Sequence, residues 1–159
     1  MKSVTPEVTM VAIKQFKTDE GQVFASIFSE AGQSLLMNVC KCHGGSEQDF
    51  NSVIKFSLAQ MKHKKLKYWL SDLSEVESNT VPDVKSLLDK LVIRLKGSQL
   101  KKFSLVSNSS LGERRHLENI ISKSGVEFKT FSNFAKASEW LLVPDLESKE
   151  WEESPELSF

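Results

Sequence analysis

The chain is poor in the features that would declare a class at once. It has only two cysteines, Cys40 and Cys42, two residues apart, a spacing that argues against a structural disulfide. No stretch approaches the roughly 18 uninterrupted apolar residues that a membrane helix needs. The opening MKSVTPEVTM has no apolar signal-peptide core. The expectation is a soluble, cytoplasmic protein without an integral membrane segment.

Recognisable reaction chemistry is also missing. SNSSLGERR, from Ser107 to Arg115, invites comparison with a phosphate loop, but it lacks the G-x-x-x-x-G-K-[ST] spacing. One glycine does not let a backbone wrap a phosphate. Cys40, Cys42 and His43 form C-x-C-H, yet zinc wants four ligands. The other histidines, His63 and His116, sit on or beside helices with no Cys or acidic partner at ligand spacing. Two reduced thiols sharing one face of a strand are the simpler reading, so neither metal nor cofactor is expected. A hydrolase would need a nucleophile with a positioned base, and no histidine falls at the loop ends where such a site would form. Asp72 with Glu75 or Glu77 could make a carboxylate pair, but YWLSDLSEVES reads better as a strand running into a solvated turn. The chain is therefore expected not to be an enzyme.

What is present is an ordinary globular composition: 159 residues, 40% apolar and 26% charged, enough for one domain with a real core. Net charge is zero but unevenly placed. Residues 144–159, PDLESKEWEESPELSF, hold Asp145, Glu147, Glu150, Glu152, Glu153 and Glu156 against Lys149, a net charge of minus five that leaves plus five on the rest. With prolines and no periodicity, this stretch reads as an acidic tail on a domain spanning 1–143. It serves solubility, or it docks Trp151 or Phe159 on the body or on a second copy.

The first third alternates. VTMVAIKQF (8–16), GQVFASIFS (21–29) and QSLLMNVCKC (33–42) read as short antiparallel strands separated by Asp19-Glu20-Gly21 and Ala31-Gly32. From Ser46, an N-cap, the period becomes helical through Phe50, Val53, Ile54, Leu58 and Met61. Strands and helices then take turns. LKYWLSDL (66–73) is a strand, and Pro82 opens a helix with the stripe Val84, Leu87, Leu88, Leu91, Val92 and Leu95, stopped by Gly97. KKFSLVS (101–107) is a strand, and Ser110 with Glu113 is a capping box for a helix that Gly125 ends. VEFKTF (126–131) is the last strand, and Ser132 caps a helix whose inward stripe is Phe134, Ala137 and Leu141, with Trp140 beside it and buried. Strands joined by helices pair in parallel. The fold class is thus α/β: a mixed sheet of N-terminal antiparallel strands followed by parallel β-α units, without an internal repeat.

From Lys65 to Leu142 the chain resembles the SpoIIAA-like branch of the STAS superfamily. The residues that carry this are LKYWLSDLSEV after a basic helix end, KKFSLVS leading into a helix, and FKTFSNFAKASEWLL with Ala137, Trp140 and Leu141. The front part fits the small bacterial members. The resemblance implies a non-enzymatic signalling or regulatory module acting through protein contacts. Signalling members carry an Asp-Ser-Ser-Gly-type motif before the helix that follows this strand, whose serine accepts phosphate. Here the place reads Asn79, Thr80, Val81, Pro82, Asp83, so control by that route is not implied.

Candidate binding residues gather where parallel strands leave the sheet, the usual ligand end of open α/β folds. They are Asp72, Ser74, Asn79, Thr80, Ser107, Asn108, Ser109, Ser110 and Ser132. Ser, Thr and Asn are also what helix starts require, so capping explains them as well. Two basic runs, Lys62-His63-Lys64-Lys65-Lys67 and Arg94-Lys96-Lys101-Lys102, fall at the opposite edge. No aromatic platform interleaves them, which disfavours nucleic acid, and the acidic tail is a simpler partner. The expected partner is an unidentified protein or a second copy in a homodimer. The alternative is a small-ligand or lipid carrier, because related STAS-like and SEC14-like folds enclose apolar ligands.

Overall fold

Alternation in the first third produces a meander. In the computed structural model of the chain, residues 10–30, 32, 34–41, 47–75, 84–108 and 110–142 are described. β1 (Val11–Lys17), β2 (Val23–Glu30) and β3 (Leu35–Cys40) pair antiparallel. The first turn is closed by Gly21 at φ +89°, a conformation that favours glycine. There follow α1 (Glu47–Lys64), β4 (Tyr68–Asp72), α2 (Val84–Lys96), β5 (Lys102–Val106), α3 (Leu111–Ile121), β6 (Glu127–Phe131) and α4 (Phe134–Leu142). From β3 onward all pairings are parallel, and the strand order is β1-β2-β3-β4-β5-β6. The mixed α/β sheet expected from the sequence is the one observed.

That order fixes where the helices go. Each parallel step moves the chain one place in the same direction, and right-handed crossovers then put every connecting helix on one face. On that face Phe24, Ile27, Leu36, Trp69 and Phe103 pack against Val53 and Met61 of α1, Leu91 and Leu95 of α2, and Ile121 of α3. α4 follows the last strand, makes no crossover and covers the other face. There Ala137, Trp140 and Leu141 pack on Leu35, Leu70, Val106 and Phe131. No described helix covers β1 to β3 on that side, and Phe28, Met37 and Val39 stay half-buried.

In-register pairing places Trp69, Phe103 and Phe128 side by side across β4, β5 and β6. Trp69 and Phe103 stack at 4.2 Å between ring centroids, and Phe128 leans on Phe103 at 4.8 Å. The edges are guarded differently. At β6 the Glu118 carboxylate accepts from Thr130 N at 2.9 Å and from its hydroxyl at 2.8 Å, occupying backbone that would face a further strand. At β1 the register shifts twice, bulging the edge.

Several sequence expectations are corrected. The final helix is capped by Asn133, whose Oδ1 accepts from Lys136 N at 3.0 Å, not by Ser132. Phe134 then falls in the first turn on the outer side and is 43% exposed, outside the inward stripe. Gly125, at φ +87°, ends a 3-10 turn (Ser122–Ser124) that follows α3 rather than α3 itself. Trp140 is buried, as expected. The caps at Ser46 and Pro82, the Cys42–His43 pair and the acidic tail lie outside the described residues.

Candidate functional site

The serine-rich end comes first, because sequence places the candidates there. Asp72 ends β4, and its Oδ1 accepts from Ser74 N at 3.0 Å and from Ser74 Oγ at 2.7 Å. This is an Asx turn, the solvated exit of a strand that YWLSDLSEVES foretells. Asn108 Nδ2 donates to Ser74 O, tying the exits of β4 and β5 together. Ser107 is buried, its N–H donating to Phe131 O at 2.9 Å. Ser110 and Glu113 form the reciprocal capping box, each bond 3.2 Å. Ser132 is exposed and caps nothing. Asn79, Thr80 and Ser109 lie outside the described residues. The candidates that are described thus serve turns and caps: Asp72, Ser74 and Asn108 bond to one another, Ser110 to Glu113, and the Ser107 N–H to Phe131 O.

Beneath this end the β3–β4 seam is polar inside. Asn38 Oδ1 accepts from Trp69 Nε1 at 2.7 Å, and its Nδ2 donates to Ser71 Oγ at 3.0 Å. Cys40 is next on that face, and its burial raises the thiol pKa to about 11, leaving an inert neutral thiol. Among the described residues no group of three His, Cys, Asp or Glu side chains gathers where it could hold a metal.

The opposite end carries a cleft of about 600 Å³ between the C-terminal halves of α1 and α2. Its construction begins with a helix ending. Lys65 adopts φ +57°, and Leu66 N donates to Met61 O at 2.9 Å while Lys65 N reaches Lys62 O at 3.4 Å. That is a Schellman ending, and it folds Leu66 back over Met61 as apolar floor. Gln99 Nε2 donates to the same Met61 carbonyl at 3.3 Å, fastening the exit of α2 to the end of α1. Leu58, Leu66, Ile93 and Leu100 give an apolar lining, and Lys55, Lys62 and Arg94 stand exposed along its mouth. A shallower recess of about 300 Å³ continues it along the helices and adds Lys90. Among the described residues no carboxylate lines either, and none of these four cations is ion-paired. Ile93 is 71% exposed, a large apolar side chain standing among cations.

The basic edge read from the sequence is therefore real, with one correction. Lys102 is not on it: the residue is 1% exposed, with Nζ donating to Trp140 O at 3.2 Å and lying 4.9 Å from the Trp140 ring. Parity on β5 turns it under α4. The cleft itself went unforeseen, since it lies between two helices that are distant in sequence and are brought to the same face only by the fold.

No family model matches the chain, and no curated protein does. Among solved structures the chain is similar to an uncharacterized protein of the DUF3478 family with a SpoIIAA-like fold, from Shewanella loihica PV-4. Identity is 14%, the match covers 89% of this chain and 98% of that chain, and the TM-score is 0.47. This is a likeness of fold alone. Among the described residues no helix is long and apolar enough to cross a membrane.

Proposed function

We propose that the protein is a non-enzymatic binding module that acts through protein contacts, and that its binding face is the α1–α2 cleft. The observation that carries this reading is the pairing of an apolar floor with four cations that, among the described residues, have no ion-pair partner and no carboxylate in the lining. An occupant that matches it presents two or three apolar side chains flanked by acids, as an amphipathic helix or an extended acidic segment does. Exposed apolar surface rimmed by charge is the mark of such contacts. At the serine-rich end the described side chains of Asp72, Ser74, Asn108 and Ser110 are engaged in turns and a helix cap, which favours the cleft over that end.

The test is fluorescence anisotropy with a dye-labelled synthetic peptide of alternating Leu and Glu turns. Binding should weaken at least about tenfold in Lys62→Glu/Arg94→Glu, as removal of two rim charges with reversal of sign does. Binding unchanged in that variant would refute the assignment of the cleft. The volume of about 600 Å³ also falls in the range of small-molecule sites, which favours the carrier as second reading. Native mass spectrometry of freshly purified protein separates the two. A retained acyl anion or other small molecule marks a carrier, and a clean protein mass marks the contact module.

A further inference from the structure

The cleft described above needs an occupant with acids and apolar side chains, and the chain carries one. Residues 144–159 hold six carboxylates, with Leu146, Trp151, Leu157 and Phe159 between and after them. We infer that this acidic tail is the built-in occupant of the α1–α2 cleft, so that an outside partner binds by displacing it. The inference rests on the cleft being the binding face.

Charge argues first. The tail's net charge of minus five equals in size the plus five of the remaining residues. Around the cleft, Lys55, Lys62, Lys90 and Arg94 are exposed cations, and among the described residues no carboxylate lines the cleft or pairs with them. Opposite charges on one chain meet at high effective concentration, on the millimolar scale for a short tether.

Place and reach argue second. α4 ends at Leu142, and near its end Trp140 O receives the Lys102 ammonium. Lys102 stands two residues after Leu100, which lines the cleft. The last described residue, Leu142, therefore stands at the same end of the sheet as the cleft, on the opposite face. Crossing from one helix layer to the other is a matter of about 20 Å, since helices pack about 10 Å from a sheet on each side. Residues 143–159 lie beyond α4 and reach up to ~56 Å when extended at ~3.3 Å each. Enough remains after the crossing to run along the cleft and place Trp151 against Ile93 and Leu58.

Two measurements on the full chain decide it. In a Cys42→Ser background, a nitroxide attached at Ser154→Cys should broaden the amide resonances of Lys62, Ile93 and Arg94, and high salt should restore them. Broadening confined to the open face of β1 to β3, or none, overturns the inference. In the second measurement, a dye-labelled peptide with the sequence of residues 144–159 is titrated into the wild-type chain and into Glu150→Gln/Glu152→Gln/Glu153→Gln. If the tail holds the cleft closed, the neutralised variant binds the peptide about tenfold more tightly, because the fraction of open cleft sets the apparent affinity. Adding Lys62→Glu/Arg94→Glu to that variant should then abolish binding. Equal affinity in wild type and neutralised variant overturns the tail as occupant while leaving the cleft as an acceptor of acidic apolar segments. Absence of binding by the neutralised variant removes both.

Discussion

Cys40 is kept as a thiol by its surroundings. Burial raises its pKa from the ordinary 9.0 to about 11, against a small lowering by the Asn38 amide. The folded state thus holds its proton where the unfolded state would release it. The resulting stability is complete below pH 9 and is lost as pH rises toward 11, by about 2 to 3 kcal/mol in all. Wild type should therefore lose more of its urea midpoint between those pH values than Cys40→Ala does. Parallel pH profiles would show that the thiol does not titrate with folding. Asn38 supplies the second test at this level. Asn38→Leu leaves the Trp69 indole N–H without its acceptor and should cost about 1 to 3 kcal/mol, while adding Trp69→Phe should incur less than the sum of the two single losses. Additive losses would show that the bond contributes nothing.

α1 ends on a lysine where glycine would sit more easily. Lys65 holds φ +57°, and Lys65→Gly removes the clash of Cβ with the backbone, offset by the greater freedom of the unfolded chain. The net should be a gain of about 0.5 to 1 kcal/mol, read as a higher melting temperature. A lower one would mean that the Schellman ending is not maintained in solution. α4 gives the opposite case, because it is the only described helix on its face and its ring sits 4% exposed on Phe131 and Lys102. Trp140→Ala should cost about 3 to 5 kcal/mol. Unchanged stability would make Trp140 a surface anchor. These elements also mark what sequence reasoning can reach. The Ser110–Glu113 box was legible because its chemistry is local, three residues apart. The Asn133 cap was missed because Ser132 and Asn133 are equally good caps, and packing of Ala137 and Trp140 on the sheet chose the register. Lys102 read as a basic edge residue because its neighbour Lys101 is one, and only the parity of β5 under α4 separates them.

The two cores lie on opposite faces of one sheet and share its strands, so neither can melt alone. Leu95→Ala on one face and Trp140→Ala on the other should each lower a single cooperative transition, seen alike in far- and near-ultraviolet circular dichroism. Two separated transitions would mean that the faces unfold independently. Fold class was legible across the whole chain because alternation and helical period change at clear borders. The cleft was not, because its walls, Met61 and Leu66 with Ile93 and Leu100, come from segments far apart in sequence that only the folded sheet places side by side. The strand order has one more consequence. Spatial order and chain order are identical from β1 to β6, so no strand has to be threaded between two that are already paired. As the polypeptide leaves the ribosome, each new strand finds the edge laid down just before it, and the sheet can grow at the pace of translation. Among the described elements α4 comes last and must wait for β4, β5 and β6 together, which makes its docking the step that closes the second face of the sheet.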